Sequence, residues 1–214
     1  MKLLGPDLEK YMEEHTTPET GVLNDLNRQT HLQKIQPQML SGQLQGQALK
    51  MFSQMMKPKR ILEIGTFTGY SAICLASGLP EDGELHTIDL DPELEGMAKE
   101  YFEKSGEASK IHMHVGAALD IIPDLDHKWD LVFIDADKSN YENYFEMVIP
   151  RMNTGAFILA DNVLWSGKVV DASDNEKDTT GIRAFNDRVQ SDPRVENVML
   201  SIRDGLMIAR KISD

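Results

Sequence analysis

Residues Trp129–Lys138, WDLVFIDADK, constrain this chain more than any other stretch. Leu131–Ile134 is an apolar run, rich in β-branched and aromatic residues, that breaks off into Asp-Ala-Asp-Lys. A run of this kind reads as a central strand of a parallel sheet, buried on both faces. Charged side chains at its carboxyl end stand where open α/β sheets place their ligands. Ala156–Ala160 repeats the pattern and ends in Asp161-Asn162. Two neighbouring strand ends rich in oxygen donors, one of them followed by Lys138, are the candidate centre of the molecule.

The pattern around this centre alternates. Strands are expected at Ile61–Ile64, Glu84–Asp89, Lys110–Val115, Trp129–Ile134 and Gly155–Ala160. Helices are expected between and after them at Tyr70–Ser77, Pro92–Lys104, Ala117–Ile122, Asn140–Ile149 and Ile182–Ser191. Strands joined by helices at this spacing give right-handed crossovers and a parallel sheet with helices on both faces. Val195–Ser201 and Leu206–Lys211, separated by a short Arg-Asp-Gly turn, should instead pair as an antiparallel hairpin. The class is therefore α/β: a three-layer, Rossmann-like fold with a seven-stranded, mostly parallel sheet and a C-terminal antiparallel hairpin.

Residues 1–57 read as a helical N-terminal extension and cap on this sheet, with 1–214 as a single domain whose sheet part occupies 58–214. Tyr11, a start signal at Thr17-Pro18-Glu19, and Leu23, Leu26, Leu32 and Ile35 give two short amphipathic pieces. After Pro37, Ser41–Met56 resumes at helical spacing, and its methionines read as core packing. Ser166–Thr180 breaks the pattern: a polar loop longer than ordinary connections, just past Asp161-Asn162, expected to be a mobile surface or, better, an active-site lid.

Charge and cysteine usage exclude several functions. Lys and Arg total 22 against 35 Asp and Glu, a formal charge of −13. That field repels phosphate backbones, so a small, neutral or weakly charged substrate suits the chain better than nucleic acid. One cysteine, Cys74, excludes an internal disulfide and a thiolate zinc site, and a reducing cytoplasm fits. No apolar stretch approaches the ~20 residues of a membrane span, and MKLLGPDLEKYMEEH lacks a signal-peptide core.

Glu63-Ile-Gly-Thr-Phe-Thr-Gly-Tyr-Ser71 joins the first strand to the first helix of the sheet. Gly65 allows the tight turn, Gly69 opens the helix, and its N-terminal amides with Ser71 can hold an anionic group such as a carboxylate. Asp89 ends the next strand, where an acidic residue grips ribose hydroxyls. A dinucleotide enzyme would show a glycine at position 67, which is Phe here, and Glu63 sits badly beside a pyrophosphate. The turn suits a cofactor with a positive charge and an amino-acid end: S-adenosylmethionine.

Taken in order, EIGTFTGYS, HTIDLDPE, VGAALDIIPDL, DLVFIDADKSNY and ADNVLWSGKV resemble the cation-dependent O-methyltransferases. This is the caffeoyl-CoA and catechol O-methyltransferase group of class I S-adenosylmethionine-dependent enzymes, with its bacterial relatives. The likeness runs from about Met39 to the final hairpin. It implies the seven-stranded methyltransferase sheet with a reversed last hairpin. It further implies that Glu63, Gly65, Thr66 and Ser71 line the methionine end of the cofactor, that Asp89 holds the ribose, and that Ala118 lies against the adenine. Ser41 and Asp135 would reach the cofactor too. Asp135, Asp161 and Asn162 match the family's metal ligands, Lys138 its general base and Trp165 its aromatic substrate wall. Homodimers are common in the family. The Ser166–Thr180 loop and the N-terminus depart from the plant enzymes, which leaves the acceptor open.

These residue types suit that chemistry. Parallel strands lie ~4.8 Å apart, so carboxylates at neighbouring strand ends can share one cation. Two carboxylates and an amide oxygen are hard donors that fit Mg²⁺ first, then Mn²⁺ or Ca²⁺. A vicinal diol could use the remaining coordination positions, and Lys138 would take a proton from the acidified phenol. Asp137 could touch the cofactor or cap Ser139-Asn140, and Trp129 reads as core. His112 and His114 could suggest a metal pair, but at the start of an edge-side strand they read as exposed or packed. Three rivals remain. One is a non-catalytic S-adenosylmethionine-binding or dimerisation protein of the same fold, which would be expected to lose Lys138 or a ligand. The others are a nicotinamide oxidoreductase and a nucleic-acid methyltransferase, which the turn and the charge respectively oppose.

Overall fold

Seven strands form where the alternation predicts them, in the order β3-β2-β1-β4-β5-β7-β6. The computed structural model describes residues 5–214, which group into two compact units, 5–117 and 118–214. The first holds α1 (Pro6–Glu14), α2 (Gly21–Gln33), α3 (Gly42–Met56), β1 (Arg60–Ile64), α4 (Tyr70–Ala76), β2 (Glu84–Asp89), α5 (Glu95–Ser105) and β3 (Ile111–Val115). The second holds α6 (Ala118–Ile121), β4 (Trp129–Ile134), α7 (Tyr141–Val148), β5 (Met152–Asp161), α8 (Lys177–Ser191), β6 (Val195–Leu200) and β7 (Leu206–Lys211). The N-terminal helices thus group with β1–β3.

In the first unit β1 pairs with β2, and β2 with β3, both parallel. Helix α2 starts at Gly21 because the Thr20 side chain accepts from Leu23 N at 3.4 Å; the cap is Thr20, not Thr17. The helix expected from Pro92 opens as a 3-10 turn, Pro92–Leu94, with Asp91 accepting from Glu93 N at 2.9 Å. Gly106, left-handed at φ 80°, ends α5.

In the second unit β4 and β5 pair in parallel. Strand β7 runs antiparallel to both β5 and β6, giving the expected reversed hairpin. Trp129 and Leu131–Ile134 of β4 are fully buried, as an interior parallel strand requires. Tyr141 and Phe145 of α7 meet Phe185 of α8 edge-on, with ring centroids 5.4 and 6.2 Å apart. Burying side chains of this size contributes about 1.5–3 kcal/mol each, enough to fix α7 and α8 against each other. Among the described residues no helix is long and apolar enough to cross a membrane.

The segment 166–180 is shorter as a loop than the sequence implies, because α8 begins at Lys177. Two short 3-10 turns fill Trp165–Val170. Arg183 of α8 gathers the rest. Its guanidinium donates to Val169 O at 2.9 Å, Lys168 O at 2.9 Å, Asp174 O at 2.7 Å and Asp171 O. The carbonyls converge on a rigid fork that lysine cannot reproduce. Arg183→Lys should therefore loosen residues 168–174, raising their amide hydrogen-exchange rates at least about tenfold if even one charge-assisted bond of roughly 1.5–3 kcal/mol is lost. Exchange unchanged in that segment would show that the fork does not hold the loop.

Candidate active site

Within the first unit the glycine turn after β1 is built around three left-handed residues: Gly65 (φ 103°), Phe67 (φ 49°) and Gly69 (φ 91°). Gly65 N donates to Ile88 O at 2.9 Å, which ties the turn to β2. Phe67 is bulky for that conformation, a strain of about 1–3 kcal/mol. Its N–H is held by Asp89 Oδ2 at 2.7 Å, while Asp89 Oδ1 accepts from Asp91 N at 3.0 Å. A carboxylate has roughly four lone-pair sites, so Asp89 keeps acceptor capacity for a ligand hydroxyl. Gly69 is needed twice over: for its φ, and because a Cβ there would lie 2.6 Å from the Phe102 ring.

Glu63 is fully buried beneath this turn. Thr87 Oγ1 donates to Glu63 Oε2 at 2.5 Å and pairs with Thr66 Oγ1, also at 2.5 Å. Thr66 and Ser71 are buried, Ser71 in the first turn of α4. Ser41 is buried just before α3, where its hydroxyl does not cap the helix. In the second unit Ala118 is the buried first residue of α6.

The second unit brings Asp135, Lys138, Asp161 and Asn162 into one hydrogen-bonded cluster. Lys138 follows β4 in a 3-10 turn and is only 8% exposed. Its Nζ donates to Asp135 Oδ1 at 2.9 Å and to the Tyr141 hydroxyl at 2.8 Å. The Tyr141 hydroxyl lies within donating distance of Asp161 O at 3.1 Å and Ile134 O at 3.3 Å, so it joins the carboxyl ends of β4 and β5. Burial, with Asp135 and Asp161 nearby, pushes the Tyr141 phenol well above its ordinary pKa, and it stays protonated and able to donate. Asp161 is 2% exposed and accepts from Asn162 N at 2.8 Å. Lys138 Nζ lies 5.9 Å from the centroid of the Trp165 ring. Among the described residues, the buried Trp165 indole N–H has no hydrogen-bond partner.

Asp137 turns to local structure. Its Oδ2 accepts from Asn140 Nδ2 at 2.5 Å and its Oδ1 from the Tyr144 hydroxyl, with no side-chain cap on the backbone. Three residues escape sequence reasoning: Tyr141, Gly181 and Asp204. Tyr141 reads as an ordinary helix residue; only its spacing of three from Lys138 hints that the two meet. Gly181 lets α8 approach the Lys138 backbone, since a Cβ would lie 2.6 Å from Lys138 O and 2.8 Å from Ser139 Cα. Asp204 accepts from Ser166 N at 2.5 Å through Oδ1 and from Leu164 N at 2.9 Å through its carbonyl, holding the turn that carries Trp165.

Comparison with known proteins identifies the family. The sequence profile of the family described as O-methyltransferase matches residues 13–212. The chain belongs to the O-methyltransferase family. It is 35% identical over 174 residues to a catechol O-methyltransferase of Niastella koreensis, covering 77% of this chain and 79% of that protein. It is 38% identical over 181 residues to caffeoyl-CoA O-methyltransferase 1 of Arabidopsis thaliana, covering 79% and 70%. The O-methyltransferase of Streptomyces achromogenes solved in complex with SAM superposes with a TM-score of 0.89 at 30% identity, covering 97% and 96% of the two chains. The Bacillus cereus O-methyltransferase solved with SAH gives a TM-score of 0.89 at 28% identity, covering 96% and 97%.

This O-methyltransferase should be sensitive to the close approach of α8. Gly181→Ala forces a methyl against backbone, so it should destabilise the fold by about 1–3 kcal/mol and lower methyl transfer by displacing Lys138. A thermal melt and turnover both at wild-type values would show that α8 yields without moving the lysine.

Proposed function

We propose that this O-methyltransferase moves a methyl group from S-adenosylmethionine to one hydroxyl of a catechol-type, vicinal-diol aromatic substrate, with the help of a divalent cation. The observation that carries the reading is Lys138: a nearly buried amine, fixed by Asp135 and Tyr141, beside Trp165 and the Asp161-Asn162 strand end. A non-catalytic binding protein has no need of an amine held in this way. Solved relatives carrying SAM or SAH support the cofactor, and relatives named for catechol and caffeoyl-CoA support the acceptor class.

The donor set fits a hard cation. Asp135 and Asp161 offer carboxylate oxygens and Asn162 an amide oxygen, the ligand types that suit Mg²⁺ ahead of Mn²⁺ or Ca²⁺. Asp135 gives Oδ1 to Lys138, so its Oδ2 is the oxygen to turn toward a metal. When bound, the cation acts as a Lewis acid that makes a diol hydroxyl more acidic. Lys138 would accept the proton released by that hydroxyl, held at the spot by Asp135 and the Tyr141 hydroxyl. Trp165 would lie along the aromatic ring, and its buried N–H suits an acceptor oxygen on the substrate. The deprotonated oxygen would attack the sulfonium methyl in line as the methyl–sulfur bond breaks and S-adenosylhomocysteine leaves, and positioning would provide much of the acceleration.

On the cofactor side, Glu63, Gly65, Thr66 and Ser71, with Ser41, would hold the methionine end, and Asp89 the ribose. Buried Glu63 favours the positive sulfonium and amine over a pyrophosphate. We place the protein in the cytoplasm as a homodimer, supported by its single buried thiol and by family analogy.

Lys138→Ala should lower kcat by about 100-fold or more, the usual scale for losing a general base, while S-adenosylmethionine affinity measured by calorimetry stays near wild type. Unchanged turnover would remove Lys138 from the chemistry. Stripping with EDTA should abolish transfer to a catechol, and Mg²⁺ should restore it in the wild type but not in Asp161→Ala. Activity that survives EDTA would sink the metal assignment. A panel of vicinal diols and matched monophenols, read by mass spectrometry, tests the acceptor class; equal methylation of both sets would overturn it.

A further inference from the structure

A second group of ligating side chains lies within the first unit. Glu84 and His86 are two residues apart on β2 and share a face of the sheet. In the β2–β3 register His86 stands opposite His112 and Ile88 opposite His114, so three imidazoles and a carboxylate meet on that face. Glu84 Oε2 lies 3.7 Å from His86 Nε2 and 4.0 Å from His112 Nε2. The His86 and His112 ring centroids are 5.0 Å apart.

The ligating atoms are aimed by outer partners. Arg60 of β1 stands opposite Glu84 and donates from Nε to Glu84 Oε1 at 2.6 Å, which turns Oε2 toward the histidines. His86 Nδ1 is hydrogen-bonded to His114 Nε2 at 3.0 Å, and this sets the ring so that Nε2 faces Glu84. Metal-binding histidines are commonly oriented through their other nitrogen in this manner.

We propose that Glu84, His86 and His112 form a binding site for a borderline divalent transition cation of the Zn²⁺ class. Donors about 2.0–2.2 Å from one tetrahedral ion sit roughly 3.3–3.6 Å from each other. Glu84 Oε2 stands 3.7 and 4.0 Å from the two imidazole nitrogens, and the half-exposed His112 ring would swing toward His86 to close the third side. Two imidazoles and one carboxylate select Zn²⁺, Co²⁺ or Ni²⁺ over Mg²⁺, the reverse of the preference of Asp135, Asp161 and Asn162. The His112 side chain is 48% exposed and provides the entry path, while His86 is buried. The chain's charge of −13 draws cations to its surface. A bound ion would clip β2 to β3 and stabilise the folded state in proportion to its occupancy.

Calorimetric titration of the chelator-stripped protein with ZnCl₂ tests this, with Asp161→Ala as the background that weakens the carboxylate site. In that background one Zn²⁺ should still bind. Adding the half-exposed His112→Gln should weaken it at least ~10-fold, the lower end of what disturbing even an outer partner of a metal ligand costs. Long-range ¹H–¹⁵N spectra of the wild type give a check that needs no variant: Zn²⁺ should shift the Nε2 resonances of His86 and His112 and leave those of His15 and His31 in place. Zn²⁺ binding that vanishes with Asp161→Ala alone, affinity unchanged by His112→Gln, or unmoved His86 and His112 resonances would each overturn the proposal.

Discussion

A lysine amine at 8% exposure needs partners where it stands, and most of the second unit is arranged around that requirement. Asp135 supplies a carboxylate oxygen at 2.9 Å and Tyr141 a hydroxyl oxygen at 2.8 Å. Removing one partner leaves a buried polar group unmet, at a cost of about 1–3 kcal/mol. The partners are themselves held: Tyr141 by the last carbonyls of β4 and β5, and the Lys138 backbone by α8, whose Gly181 permits contact that any side chain would block. The two strand ends that carry Asp135 and Asp161 are therefore braced by the same hydroxyl that receives the lysine. A change in any one of them is transmitted to the others.

The exit of β5 shows why the sheet ends in a reversed hairpin. Asn162, Trp165 and Ser166 all have left-handed backbones, at φ 59°, 45° and 54°. Only Asn tolerates that region readily, and each of the others stores strain of about 1–3 kcal/mol. Asp204 and Gly205, at the β6–β7 turn, hold the distorted segment by accepting from Ser166 N, Leu164 N and Val163 N. Gly205 itself must lack a side chain, since a Cβ would lie 2.5 Å from Leu164 Cγ. Asn186 of α8 adds a bond to Val163 O at 2.9 Å. The antiparallel hairpin thus acts as a clamp on the turn that presents Asn162 and Trp165.

How legible all this is in the sequence depends on how local the cause is. Strand β4, fully apolar and then abruptly charged, is legible because burial on both faces leaves no polar position until the strand ends. The alternation of strand and helix, and the final hairpin, follow from periods of 2 and 3.6 and from one Gly-containing turn. The loop at 166–180 is read too long because α8 starts at Lys177, and the Arg183 fork is not legible because it depends on four carbonyls meeting in space. Tyr141 and Gly181 act through packing between elements that no period encodes. His112 and His114 read as a pair on an edge-side strand because the third imidazole, His86, and the carboxylate, Glu84, arrive from the next strand through the register alone.

On the proposed reading, the same cluster limits what the acceptor can be. A substrate there would meet a flat indole wall, one amine, one buried indole N–H and the cation that Asp135, Asp161 and Asn162 would hold. A monophenol has one oxygen to offer to all of these. Leaving a buried donor unmet costs about 1–3 kcal/mol, and each such loss is a factor of roughly 5–150 against the poorer substrate. A vicinal diol would present two oxygens on one rigid edge to those groups, with its ring along Trp165. Discrimination then comes from unpaired polar groups more than from the size of an apolar slot, which by itself separates analogues only weakly. On that reading, the hairpin clamp that holds Trp165 in place would also hold the acceptor ring against the strand ends.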